Sequence, residues 1–140
     1  MIYAVTGAQE PIGDYNTRVY NTFLTLDPKK DKVLTGACVG IDRVAAITAY
    51  ALGFFVHTII PANLAKIDEQ FFAHCTTYEY MPKGTSYMDR NWRLVNHPDY
   101  PCDCLLAFPN QNEEILRSGT WSTVRRARKL GKEVRIISPY

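Results

Sequence analysis

The stretch VLTGACVGIDRVAAITAYALGF (residues 33–54) decides how this chain folds. It begins as an apolar run, turns between Gly36 and Gly40, and continues at once with apolar residues at helical spacing. An apolar run of strand length, a short turn and an amphipathic helix over residues 41–52 together predict one strand-turn-helix unit. Glycine-containing junctions of the same kind recur in two other places, at Thr6-Gly7 and at Ser118-Gly119-Thr120.

The rest of the chain repeats this alternation of strands and helices. Strands are predicted over residues 2–6, 32–35, 54–60, 77–81, 105–108 and 134–137, and helices over residues 14–26, 41–52, 67–75, 86–95 and 122–130. Such alternation is typical of a parallel sheet covered on both faces. The predicted fold class is therefore α/β: a Rossmann-like three-layer sandwich with a mainly parallel, doubly wound sheet. Ligands of such folds bind beyond the carboxyl ends of the strands, where the strand order reverses.

Composition limits the classes of protein to consider. A length of 140 residues predicts one domain over residues 1–140, and 46% apolar with 21% charged residues is typical of a globular protein. The apolar runs are too short for a membrane span, so no membrane partner is expected. The first residues, MIYAVTGAQ, carry no basic region of a signal peptide, which predicts a cytoplasmic location.

Four cysteines are present, Cys38, Cys75, Cys102 and Cys104. A structural zinc site usually pairs its ligands as C-x(2–4)-C and H-x(3–5)-H, and the spacings here differ from that pattern. We expect free thiols, with Cys102 and Cys104 on one face of a strand. No metal and no cofactor are predicted.

The net charge of +2 conceals an asymmetry. From Arg117 onward the chain carries seven basic residues and one acidic residue, so the remainder is net acidic. A basic helix here can contact the phosphates of a nucleic acid. It can equally be a solvated helix face, and the sequence leaves both interpretations open.

Several polar clusters follow the predicted strands or begin helices. Arginines, an amide and an indole lie together in Arg90-Asn91-Trp92-Arg93, which suits a phosphorylated ligand with an aromatic base. The alternative for this cluster is a surface helix with one buried tryptophan. Hydroxyls at the start of the last helix can present groups to a phosphate or can simply cap the helix.

Taken in chain order, the glycine junctions at residues 6–7 and 35–40, the cluster at residues 90–93 and the start of the last helix at residues 118–120 resemble the SLOG superfamily. This superfamily comprises DprA-like Rossmann domains, small YspA/DUF2493-type proteins and LOG-type phosphoribohydrolases. The YspA/DUF2493 type, found in bacteria and phages, is the most similar. The resemblance implies a homo-oligomer with a site for a nucleotide or nucleotide-derived molecule, used as a sensor or sequestering module. Carried over residue by residue, that site comprises Gly7, Gly36, Gly40, Asp42, Arg43, Arg90, Asn91, Ser118, Gly119 and Thr120.

The resemblance also implies two alternatives. One is a LOG-type enzyme that hydrolyses or transfers the N-glycosidic bond of a nucleotide, with Arg90 as its catalytic candidate. The glutamate of the LOG motif would fall at Thr123, however, and Asp89, Glu113 or Glu114 would have to replace it. The other is DprA-like nucleic-acid binding through the basic helix, for which the sequence shows no aromatic stacking platform.

Overall fold

The computed structural model describes residues 1–116 and 118–139, so Arg117 of the basic segment lies outside the described residues. Six strands form one sheet: β1 (Ile2–Gly7), β2 (Lys32–Gly36), β3 (Phe55–Ile60), β4 (Thr77–Tyr80), β5 (Cys104–Phe108) and β6 (Glu133–Ile136). Four α-helices connect them, with a short 3₁₀ helix (Phe71–His74) before β4: α1 (Tyr15–Leu24), α2 (Ile41–Ala51), α3 (Tyr87–Val95) and α4 (Gly119–Lys129).

The sheet is parallel throughout and its strand order is β4-β3-β2-β1-β5-β6. Strands β2, β3 and β4 therefore lie in succession on one side of β1. The chain then returns past β1 and adds β5 and β6 on its other side. This confirms the predicted doubly wound α/β fold. The strand order reverses between β1 and β5, whose carboxyl ends meet where Gly7 pairs with Phe108.

The core lies on both faces of the sheet. Helices α1 and α2 cover one face through Phe23 and Ile41, and α3 and α4 cover the other through Leu94 and Trp121. Strand β5 is buried along its whole length because both of its faces are covered, which explains its unbroken apolar sequence. Within the described part of the chain, no helix has the length and apolarity that a bilayer span requires.

The helix predicted over residues 67–75 is wrong in extent. Only residues 71–74 are helical, because the segment before them pairs with the chain that leaves β2. The backbone amide of Asp68 donates to the Ala37 carbonyl, and Cys38 forms an isolated antiparallel bridge with Ile67. Phe71 is buried, whereas Phe72 is 52% exposed.

Cys102 and Cys104 do not share a face of a strand. Strand β5 begins only at Cys104, and the preceding Asp103 joins it to β1 by exchanging hydrogen bonds with Ile2. As a result Cys102 packs in the core beneath α3 and α4, and Cys104 packs beneath α1 and α2. Both thiols are buried and free, and burial raises the pKa of each.

A polar cluster holds the edge strand β4 to the end of α3. The Glu79 carboxylate on β4 accepts hydrogen bonds from the side chains of Arg93, His57 and His97. These contacts lower the pKa of Glu79 to about 2, although its partial burial acts in the opposite direction. The sequence gave no signal that one carboxylate joins His57 and His97.

The contacts of Glu79 with Arg93, His57 and His97, here called the Glu79 cluster, predict how the free energy of unfolding depends on pH. Because folding lowers the pKa of Glu79, its contribution is fully present above its ordinary pKa and is lost as the pH falls toward 2. The free energy of unfolding of the wild type should therefore exceed that of Glu79→Gln at pH 7, and the gap should narrow between about pH 5 and pH 3. Urea unfolding at these pH values measures the gap, and a gap independent of pH would contradict the assignment.

Candidate functional site

A cleft of about 470 Å³ opens at the point where the strand order reverses. Its walls come from the segments that follow β1 and β5, from the start of α2, from α3 and from the start of α4. The loop after β5 is tied to the segment after β1, because the Asn110 amide bonds to the backbone of Glu10 and Ile12. The cleft therefore lies where parallel α/β folds usually bind their ligands.

The start of α4 presents hydrogen-bond donors to the cleft. The hydroxyl of Ser118 caps the helix by accepting from the amide of Trp121. Among residues 1–116 and 118–139, none accepts a hydrogen bond from the backbone amides of Gly119 and Thr120. Free amides at a helix N-terminus, together with the helix dipole, favour an anion.

Asn91 adds a side-chain donor to these amides. Arg90 Nε donates to Asn91 Oδ1 at 2.9 Å, which fixes the orientation of the amide group. Asn91 Nδ2 is thereby turned toward α4 and lies 3.8 Å from where a Cβ on Gly119 would be. Within the described residues, Nδ2 has no acceptor, although Asn91 is only 9% exposed. Because solvent reaches Nδ2 at the wall of the cleft, this donor is available to a ligand together with the free helix amides.

Arg90 is buried at the wall of the cleft, and its donors are engaged within the protein. Its NH1 donates to the Ile59 carbonyl at 3.4 Å, and its NH2 lies 3.6 Å from the Cys38 sulfur and 3.7 Å from an Asp42 oxygen. The structure thus makes Arg90 a positioning residue that holds Asn91 and Asp42. Its predicted contact with a ligand phosphate stays a prediction.

The absence of a side chain at Gly36 makes room for this guanidinium group. A Cβ at Gly36 would overlap Arg90 NH1 and lie 2.5 Å from Asp42 Oδ2, so no other residue leaves room for the pair. Gly40 lies at the start of α2 against the backbone carbonyls of Ala8 and Gln9. Neither glycine lines the cleft, but both allow the segments behind its wall to pack closely.

The carboxylate of the cleft belongs to Asp42, in the first turn of α2. Burial raises the pKa of Asp42, while the guanidinium of Arg90 and the amide of Cys38 act in the opposite direction. The three acidic residues considered as replacements for the missing LOG glutamate lie elsewhere. Asp89 caps α3, Glu113 lies on the rim of a separate shallow groove, and Glu114 approaches Arg128.

Seven of the ten predicted site residues line the cleft: Gly7, Asp42, Arg90, Asn91, Ser118, Gly119 and Thr120. Arg43 does not, because its half-exposed side chain turns away and pairs with Asp68 at 3.6 Å. The sequence indicated the polar loop after Phe108, which contains Gln111, but did not name Gln9 or Lys66 as parts of this wall. Position directly after a strand end could have indicated Gln9, whereas Lys66 lies six residues after the end of β3.

Within residues 1–116 and 118–139, the side chains placed to hold a metal are those of His57, Glu79 and His97, whose ligand atoms lie within 4.8 Å of one another. Their hydrogen bonds fit a metal poorly. His97 Nδ1 accepts from the backbone amides of Asp99 and Tyr100, so the proton of a neutral ring is on Nε2 and points to Glu79. A metal-bound histidine instead donates from its second nitrogen.

The fold is shared with proteins of known structure. DNA processing protein A (DprA) of Helicobacter pylori, described for its single-stranded DNA binding mode, superposes with a TM-score of 0.70 at 17% identity over 97% of this chain. The chain has the DprA fold. DprA of Streptococcus pneumoniae matches with a TM-score of 0.70 at 21% identity over 96% of the chain, and TM1055 with 0.67 at 18% over 95%.

These structures share with the chain a Rossmann-like α/β fold. The chain spans only 64% of the Helicobacter pylori protein and 49% of the Streptococcus pneumoniae protein, and 71% of TM1055. No protein-family model and no curated protein match the sequence. The likeness therefore concerns the fold.

The buried pair of Arg90 and Asp42 predicts a strong and non-additive effect on stability. Arg90→Met leaves Asp42 buried without its cation and should cost about 3–5 kcal/mol in the free energy of unfolding. Adding Asp42→Asn removes the uncompensated charge and should restore part of this loss. Urea unfolding of the two single variants and the double variant measures the coupling.

Arg43→Met is the matched control. It also removes an arginine paired with an aspartate, but this side chain is half exposed, so the expected cost is only about 0–1 kcal/mol. Equal losses for Arg90→Met and Arg43→Met would contradict the structural role of Arg90.

Proposed function

We propose that this protein binds a nucleotide or nucleotide-derived small molecule in the cleft between β1 and β5, as a sensor or sequestering module. The observation that carries the proposal is the unpartnered Asn91 Nδ2 beside the free amides of Gly119 and Thr120. Asn91 of α3 and the first residues of α4 line the same cleft and offer three donors, which suits a phosphate group. Lys66 at the rim adds a positive charge to the same cleft.

The size of the cleft fits this ligand class. A volume of about 470 Å³ lies in the range of small-molecule sites and exceeds what a free phosphate needs. The remaining walls are mostly polar, with Gln9, Asn110 and Gln111 able to donate and accept hydrogen bonds. Such groups suit the edges of a base. From the order of its sequence motifs we propose that the chain is a small YspA-type SLOG protein and that it self-associates.

The nucleic-acid alternative has support from the DprA relatives, one of which is described for binding single-stranded DNA. The arginines of the basic helix contact other groups of the protein. Arg125 donates to the carbonyls of Ile115 and Leu116, Arg126 stacks on Trp92, and Arg128 approaches Glu114. These contacts favour the small-molecule ligand over a nucleic-acid strand along α4.

The enzymatic alternative places the cleavage of an N-glycosidic bond in the same cleft. Thr123, where a LOG-type glutamate would fall, is buried and donates its hydroxyl to the Gly119 carbonyl. The carboxylate available for N-glycosidic hydrolysis is therefore Asp42. Chromatography of a nucleoside 5′-monophosphate incubated with the protein separates the two functions, since release of free base would make the protein an enzyme rather than a binder.

Thermal unfolding with a panel of AMP, ADP-ribose, NAD and cyclic nucleotides tests the proposal. Binding to the native state at a hundredfold excess over Kd should stabilise the protein by about 2.7 kcal/mol and raise Tm by several degrees. Asn91→Asp replaces the converging donor by an acceptor of nearly the same shape and should abolish the shift, because its charge repels a phosphate.

Asn21→Asp is the control for charge. It makes the same change at an exposed position of α1, away from the cleft, and should leave the shift intact. If no compound of the panel changed Tm, or if Asn91→Asp responded like the wild type, the proposed site would be wrong.

A further inference from the structure

The two edges of the sheet are protected to different degrees. Strands β4 and β6 form these edges, and each has four residues. The β6 edge carries the exposed charges of Glu133 and Arg135, and charges on an edge strand oppose its pairing with another chain. The β4 edge reads Thr-Tyr-Glu-Tyr, and its one charged residue, Glu79, is already paired with Arg93. Strand β4 therefore lacks this protection.

Backbone groups of β4 are available for such pairing. The amide of Met81 donates to the last carbonyl of β3, as does that of Thr76 to β3 before the strand begins. Because the amides of a strand point alternately to its two sides, those of Tyr78 and Tyr80 point away from β3. A carbonyl of Tyr80 directed toward β3 would meet Pro61, which has no amide to donate. Within the described residues, no strand lies beyond β4 to bond these groups.

Aromatic side chains surround the free backbone groups. Tyr78 and Tyr80 project from one face of β4 with ring centroids 5.9 Å apart, and Phe72 packs against Tyr78 at 4.8 Å. All three side chains are half-exposed. Since an aromatic side chain buries roughly 150–250 Å² when it is fully covered, the three together offer about 300 Å² per copy. A continuous aromatic patch of this size beside an unpaired strand is typical of an interaction surface.

From these observations we propose that β4 pairs antiparallel with β4 of a second copy of this chain around a two-fold axis, so that one sheet continues through a homodimer. The inference rests on the proposed self-association and names its surface. A second copy fits because the outward backbone groups and the aromatic rings of one β4 strand are complementary to those of another in this arrangement.

Charge and backbone geometry favour Tyr78 as the centre of this pairing. With the two-fold axis at Tyr78, the two Tyr78 residues face each other and Glu79 lies opposite Thr77 of the other copy. An axis at Glu79 would place two carboxylates directly opposite each other, which is unfavourable. An axis at Tyr80 would place Tyr78 opposite Pro82, which has no amide to donate.

The area of the surface sets the expected strength of the dimer. The aromatic residues of two copies contribute about 600 Å², and the paired backbones bring the total to about 1,000 Å². Interfaces of this size lie at the lower end for specific complexes. We therefore expect a dimer that dissociates at micromolar protein concentrations.

Sedimentation equilibrium over a series of protein concentrations tests the surface with two variants. Tyr78→Lys places two like charges opposite each other at the centre of the interface and should raise the dimer dissociation constant about tenfold or more. Tyr20→Lys makes the same change at a half-exposed tyrosine of α1 and should leave the constant unchanged. Dissociation by Tyr20→Lys and not by Tyr78→Lys would move the interface to α1 and overturn the inference.

A second pair of variants separates strand pairing from contact between rings. Tyr78→Ala and Tyr78→Pro both remove the ring, but only proline also removes the outward amide. Proline is tolerated at such an edge position because the amide it deletes has no partner within the sheet. Two symmetric hydrogen bonds are lost, so the proline variant should dimerise about tenfold more weakly than the alanine variant. Equal weakening would overturn the pairing of the strands.

Hydrogen exchange on the wild type needs no variant, so a folding defect cannot obscure it. The amides of Tyr78 and Tyr80 should exchange more slowly as the protein concentration rises through the dissociation constant. A dimer in which both amides remain unprotected would overturn this inference and leave the proposed self-association standing. A wild-type protein that stays monomeric at millimolar concentration would overturn both, and neither result bears on the nucleotide cleft.

Discussion

The burial of one guanidinium group organises this protein. Arg90 is 4% exposed, and a charge so far removed from water persists only when its surroundings compensate it. The compensation comes from four separate segments: the carbonyl at Ile59 in β3, the sulfur of Cys38 after β2, the carboxylate of Asp42 in α2 and the neighbouring amide of Asn91. Because these groups meet only in the folded chain, the arginine fixes α3 against the ends of two strands and the start of α2.

The same constraint divides the cleft into two chemically different ends. Arg90 turns the oxygen of Asn91 toward itself, which leaves the amide hydrogens facing α4. Arg90 also lies beside the carboxylate of Asp42, at 3.7 Å and beyond hydrogen-bond distance. A single positive group, itself withdrawn from the ligand, therefore sets donors at one end of the cleft and an acceptor at the other. Preorganised polar groups of this kind lose little entropy when a ligand binds.

The strand order brings these groups to a place where a ligand can reach them. Since β1 and β5 are neighbours and their connecting helices lie on opposite faces, their carboxyl ends leave a gap that no helix covers. Gly7 lets the start of α2 approach β1, because a side chain there would overlap Ile41. The residues that line the gap are mostly polar, which suits the ligand class proposed for it.

Periodicity and glycine placement in the sequence determined the class of fold and the alternation of strands and helices, since these depend on local geometry. The resemblance of its motifs supplied half of the described residues that line the cleft. The tertiary structure alone decided what those residues do. Arg90 and Gly36 lie 54 positions apart in the sequence and touch only because β2 and β3 pair in register beside α3. In α3 the arginine and asparagine are buried and Trp92 is 39% exposed, the reverse of what hydrophobicity predicts. Burial of a charge depends on partners that are distant in the chain, and no local pattern records them.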